Sequence, residues 1–130
     1  MSDIISAIKK LPGMEHTKPV DSENICKAEQ KLNVVFADDY KKYLSAFGTV
    51  ESDIIAISGL GGYLDVVELT EECRSVNSQV PYYVIEDADG LVIWQDETGA
   101  IYQTTPCQPP KKIHNSLAGF LEYVNNQKKE

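Results

Sequence analysis

Apolar residues recur along this chain with two periods, and the change from one to the other divides it. Up to Gly48 the spacing is helical. Ile4, Ile8 and Leu11 fall at i, i+4 and i+7 before Pro12-Gly13, which predicts a short helix over Ser2–Lys10 with Ser2 as its cap. Ile25, Ala28, Glu29 and Leu32 repeat the spacing in a second helix. Asp21 opens it, Val20 and Ile25 are placed as a hydrophobic staple, and Asn33 suits a left-handed end. Tyr40, Tyr43, Leu44 and Phe47 stripe a third helix, Ala37–Phe47, whose first turn carries Asp38 and Asp39, where the helix dipole favours anions.

After Gly48 the period shortens toward two. Ser52–Ser58 is β-branched and bounded by turn residues, so a strand is expected there. Thr70 can cap a turn or two of helix through Val76, while Leu64–Leu69 can equally be strand. Between Tyr82 and Thr104 lie three β-branched and aromatic runs, Tyr82–Glu86, Leu91–Gln95 and Ala100–Thr104. Asp87-Ala88-Asp89-Gly90 and Asp96-Glu97-Thr98-Gly99 separate them, each closed by a glycine able to take the positive φ of a tight turn. These runs predict an antiparallel meander. The prolines of Thr105–Lys112 make that stretch loop or edge, Ile113 adds a short edge strand, and Asn115 or Ser116 caps a last helix striped by Leu117, Phe120, Leu121 and Val124.

A meander cannot bury both its faces alone, so flanking helices must cover one of them. The expected fold class is α+β: a single antiparallel sheet, meander plus edge strands, with N-terminal helices and a C-terminal helix packed on it. A length of 130 residues fits one domain spanning 1–130. No apolar run approaches the ~18 residues of a membrane span, and the acidic start lacks the basic region of a signal peptide. Cys26, Cys73 and Cys107 are odd in number and widely spaced, which points to a reducing cytoplasm and to thiols that fill apolar space.

Charge changes the picture more than composition does. In residues 1–42 seven acids meet seven lysines, and residues 111–130 are slightly basic. Residues 43–110 hold eleven acids and one base, Arg74, and so supply all of the net charge of -8. Such a field repels nucleic acid and anionic membranes and attracts cationic partners.

Enzyme chemistry finds little support. His16 and His114 are remote from each other and from any cysteine pair, so neither zinc nor a Cys-His nucleophile is indicated. Gly59-Leu60-Gly61-Gly62 is not a phosphate loop, because Leu64 stands where the third glycine belongs and no Gly-Lys-Ser/Thr follows. Asp87-Ala88-Asp89-Gly90 is followed by Val92 and Trp94 where a calcium loop needs further oxygen ligands. No catalytic residue, metal or cofactor is expected, and the chain is read as a non-enzyme.

The block from Asp21 to Gly48 resembles the opening of the SUKH superfamily, the Smi/Knr-type cell-wall-assembly regulator domain. The resemblance runs through Ile25, Glu29 and Leu32, the step Phe36-Ala37-Asp38-Asp39-Tyr40, and Leu44, Phe47 and Gly48. Gly99-Ala100-Ile101-Tyr102 and the Ser116…Phe120-Leu121 helix continue it, so that it spans about residues 20–125. Two neighbouring positions depart: the family's proline at helix entry is Ala37 here, and the leucine before it is Phe36. The resemblance implies a cytoplasmic binding domain without a catalytic constellation. Its bacterial branch implies an immunity protein that neutralises a cognate polymorphic toxin, a basic nuclease being one such toxin. The alternative is an intracellular regulatory or scaffold module without a toxin partner.

The binding surface is expected to be acidic, made by Glu71, Glu72, Glu86, Asp87, Asp89, Asp96 and Glu97. It would meet a cationic protein, not nucleic acid or membrane. Charge gives speed and selectivity, whereas lasting affinity needs an aromatic anchor, for which Tyr82 is the first candidate and Tyr63 and Tyr83 are others.

Overall fold

The computed structural model describes residues 3–60, 62, 64–76, 82–88, 91–105 and 109–128. Helix α1 (Ile4–Lys9) is capped by Asp3, whose carboxylate accepts from the Ser6 backbone N–H, in place of the expected Ser2, which lies outside the described residues. Helix α2 (Ser22–Leu32) begins and ends as its residues predict. Asp21 accepts from the Asn24 N–H at 2.9 Å, and Asn33 is left-handed at φ 56. Helix α3 (Asp38–Ala46) has Ala37 as its N-cap, one residue inside the expected start.

The ambiguous stretch resolves as a full helix, α4 (Val66–Val76), which begins four residues before Thr70. Asp65 supplies the reason. Its Oδ1 accepts from the backbone N–H of Val67 at 2.8 Å and of Glu68 at 3.3 Å, so the cap lies upstream of a β-branched pair that imitates a strand. Helix α5 (Leu117–Lys128) starts after Ser116, whose Oγ accepts from the Gly119 N–H at 3.0 Å.

The strands form two sheets, which corrects the single sheet expected. A small antiparallel one joins β1 (Glu15–His16), β2 (Val50–Glu51) and β3 (Ala56–Ile57) in that order. The strand expected over Ser52–Ser58 is broken because Ser52 turns the chain back: its Oγ accepts from the Ile55 N–H at 3.0 Å, and its own N–H donates to the Ile55 carbonyl at 3.0 Å. The larger sheet is the predicted meander with its edge strand, β4 (Tyr83–Ala88), β5 (Leu91–Gln95), β6 (Ile101–Thr104) and β7 (Lys111–His114), antiparallel in sequence order. Ser58, just past β3, ties the two sheets by donating from its N–H to Ile85 and from its hydroxyl to Val84.

The larger sheet is covered on both faces. Tyr83, Ile85, Ile93 and Ile101 point into the main core with residues of α1, α2, α3 and α5. On the opposite face Val84 and Trp94 pack with Cys73 and Leu69 of α4. A helical pair and one sheet face would have sufficed for a two-layer fold; α4 adds a cover on the second face and so leaves its own acidic side outward.

Candidate functional site

Glu68, Glu71 and Glu72 are exposed on α4, the helix that closes the outer face of the sheet. Asp87, near the end of β4, is exposed beside that helix, and Cys73 Sγ lies 3.8 Å from its Oδ2. Burial pushes the Cys73 thiol up to about 11, with Asp87 and Glu72 adding to the rise. The thiol is therefore protonated at neutral pH and is not a nucleophile. Cys26, by contrast, is exposed and fills no apolar space, contrary to expectation; Cys107 lies outside the described residues.

The predicted acidic residues do not form one continuous patch. Tyr83 pairs with Gln95 and Asp87 with Val92, so Asp87 and the Asp96-Glu97 turn sit at opposite ends of β5. Five residues of strand separate the ends by roughly 16 Å. Glu86, half-buried, pairs with Ile93 and so lies on the opposite face of the sheet from Asp87, and Asp89 lies outside the described residues.

At the far end Glu97 is exposed and Asp96 is engaged in its own turn. Burial raises the Asp96 carboxyl, but hydrogen bonds from the Thr98 hydroxyl, the Tyr102 hydroxyl and the backbone of Thr98 and Ala100 outweigh it, so that it ends below the usual value. The Tyr102 O–H donates to Asp96 Oδ2 at 2.9 Å. Tyr82 is half-buried and stacks on Tyr102 with ring centroids 4.5 Å apart. Tyr83 is not available as an anchor. It is wholly buried, its O–H donates to Gln95 Oε1 at 2.7 Å, and it accepts from the Ala37 N–H at 2.8 Å. Tyr63 lies outside the described residues.

The one base of the acidic segment does not spend its hydrogen bonds on carboxylates. Arg74 donates through Nη1 to the Leu32 carbonyl at 2.9 Å and through Nη2 to the Tyr82 carbonyl at 3.0 Å. It thereby ties the C-terminal end of α4 to that of α2 and to the start of β4.

N-terminal to that tie, α2 and α4 line an open groove of about 840 Å³. Its apolar lining includes Val20, Ala28, Leu60 and Val67. Lys18, Lys27 and Lys31 stand on the side of α2, all exposed. Asp65, Glu68 and Glu71 stand on the side of α4. Sequence reading did not find this groove. Lys27 and Lys31 share a helix face by their spacing, and so do Glu68 and Glu71, but nothing local says that the two helices are neighbours.

The two histidines lie on different sheets. His16 meets Phe47 edge-on at 5.3 Å and His114 packs against Phe120 and Tyr123. Among the described residues no group of three or more His, Cys, Asp or Glu side chains could hold a metal ion, and no helix is long and apolar enough to cross a membrane.

The family model SUKH_5, described as SMI1-KNR4 cell-wall, matches residues 1–126. None of the curated proteins compared with the chain matches it.

Proposed function

The chain belongs to the SUKH superfamily, in its SUKH_5 family of SMI1-KNR4 type, and from that membership we propose that it is an immunity protein that neutralises a cognate toxin by binding it. It works in the cytoplasm of the cell that makes the toxin, without chemistry of its own. The toxin is cationic, and a nuclease fits best, because an enzyme that grips a phosphate backbone must carry basic residues where it does so. An acidic protein seated there excludes the nucleic acid and arrives quickly.

The observation that carries this reading is the charge of residues 43–110, eleven acids to one base, together with the engagement of that base, Arg74, by two backbone carbonyls. Glu68, Glu71, Glu72 and Asp87 are exposed on and beside α4. Arg74 still acts electrostatically on Glu71, and the lysines of α2 stand across the groove from Glu68 and Glu71, so the negative field is strongest at Glu72 and Asp87. The acids of the Asp96-Glu97 turn are a separate, weaker contribution, since Asp96 is held in its turn.

The test begins with the protein that co-purifies from the producing cells. Expressed alone in a naive host, that protein should stop growth, and co-expression of this chain should restore it. Substituting Glu71, Glu72 and Asp87 by lysine should lower affinity and flatten its dependence on salt. A co-purifying protein that is harmless on its own would replace the immunity reading with that of a regulatory scaffold.

A further inference from the structure

The groove between α2 and α4 has a property that a uniformly acidic surface lacks: its two rims carry opposite charge. Lys18, Lys27 and Lys31 face outward on one side, Glu68 and Glu71 on the other. Lys27 lies 3.8 Å from Glu23 of its own helix, an exposed pair that costs little to give up. Asp65 is occupied in capping α4, so the acidic rim rests on Glu68 and Glu71. Between the rims the lining is mixed: Thr17 and Asn24 contribute polar groups, Val20 and Leu60 apolar ones, and Ala28 and Val67 are buried.

We propose that this groove seats one amphipathic helix of the partner protein, whose apolar stripe enters the groove while a basic edge lies along α4 and an acidic edge along α2. The proposal rests on the reading that the chain acts by binding a protein, and it names where and how. Its size suits such an occupant: about 840 Å³ is close to what two turns of helix fill, roughly 12 Å long and ~10 Å across. A pocket for a small molecule converges a few buried polar groups on its ligand, whereas the charged groups here stand exposed along the two rims. A helix in a groove uses apolar contacts for affinity and the flanking charges for choice. A segment with both edges basic would be repelled by the lysines of α2, so the rims select against indiscriminate cations and fix the direction in which the helix lies.

The experiment uses three synthetic helical peptides of equal length sharing one leucine stripe. The first has lysines along one edge and glutamates along the other, the second lysines on both, the third glutamates on both. Each is titrated into the isotope-labelled full chain, with amide shifts read by NMR. The first should bind best, by roughly tenfold in Kd over either of the others, because several exposed pairs each worth a few-fold act together. Its shifts should fall on Lys27, Lys31, Glu68 and Glu71. The double variant E68K/E71K should prefer the all-glutamate peptide, and K27E/K31E the all-lysine one. Equal binding of the first and second peptides by the native chain would overturn the proposal, as would shifts confined to β4 or no binding at all. A dimer in sedimentation with these same amides broadened would also overturn it, since a second copy would then fill the groove. Peptide preference without protection from any co-purifying toxin would sink the immunity reading alone; protection without peptide preference would sink the groove alone.

Discussion

Asp39 caps a helix that begins 78 residues after it. From the first turn of α3 its Oδ2 accepts from the Leu117 backbone N–H at 2.8 Å, while its Oδ1 accepts from Gln95 Nε2 at 3.0 Å. One carboxylate therefore joins α3, the end of β5 and the start of α5. Both bonds are charge-assisted, and Gln95 is fully buried. Asp39→Ala is expected to lower unfolding free energy by roughly 2–3 kcal/mol, and Asp39→Asn, which keeps one acceptor, by about half as much. Urea denaturation of the three proteins checks this. A loss in Asp39→Ala no larger than that of an ordinary surface substitution would remove the residue from its structural role.

Ala37 stands where the resemblance to the family implies a proline, and its backbone shows what the exchange involves. Its φ of -64 is the value a proline ring imposes, so the ring would enter without backbone strain. What proline cannot do is donate, and the Ala37 N–H donates to the Tyr83 hydroxyl. That hydroxyl keeps Gln95 as a partner. The ring's Cδ would also take the place of that hydrogen, against a buried oxygen 2.8 Å from the nitrogen, so the lost bond comes with a steric clash that the smaller entropy of the unfolded chain does not offset. Ala37→Pro should therefore destabilise the chain by more than about 1 kcal/mol. Tyr83→Phe should also be costly, because it strands both the Ala37 N–H and Gln95 Oε1. A double-mutant cycle should show that cost shrinking in the Ala37→Pro background; strict additivity would mean that the two groups do not interact in solution.

Much of this architecture could be read before any coordinates, for local reasons. Asp21 and Asn33 bound α2 with their own side chains and backbone, and the three runs of the meander are β-branched and aromatic stretches separated by turns that glycine closes. The small sheet could not be read, because each of its strands is two residues long and carries no period. Helix α4 was half-read: Val66-Val67 imitates a strand unless Asp65 is seen to be its cap. Of the candidate site, exposure of the α4 acids followed from their helical positions. Its division into two ends depended on strand pairing, and the groove depended on which helices are neighbours. Long-range packing decides both, and no residue type announces it.

Trp94 is the only tryptophan and is wholly buried, with its Nε1–H donating to the Thr104 hydroxyl at 2.9 Å. Valine at 104 fills the same space without an acceptor and leaves a buried N–H unpaired. Thr104→Val is expected to cost about 1–3 kcal/mol, and Thr104→Ser, which keeps the oxygen, distinctly less. Trp94 itself reports the transition, since its emission should shift to the red as urea exposes it. A larger loss in Thr104→Ser than in Thr104→Val would show that the methyl group, not the hydrogen bond, is what matters at this position.

His114 supplies the pH dependence that can be assigned to one group. Its ring packs against Phe120 at 5.6 Å and Tyr123 at 5.0 Å, and burial lowers its pKa below the ordinary 6.5. In the folded chain the imidazole thus takes up a proton less readily than in the unfolded one. Between the two values the unfolded state binds more protons, so stability rises with pH there. His114 accordingly leaves the chain fully stable above about pH 6.5 and weakens it as pH falls from that value to the lower, folded pKa. Urea midpoints at about pH 7.5, 6.5 and 5.5 should decline in the native chain and decline less in His114→Gln. The comparison cancels the carboxylates, which titrate alike in both proteins. An NMR titration placing the folded imidazole at or above 6.5 would reverse the sign and remove His114 as the source of the decline.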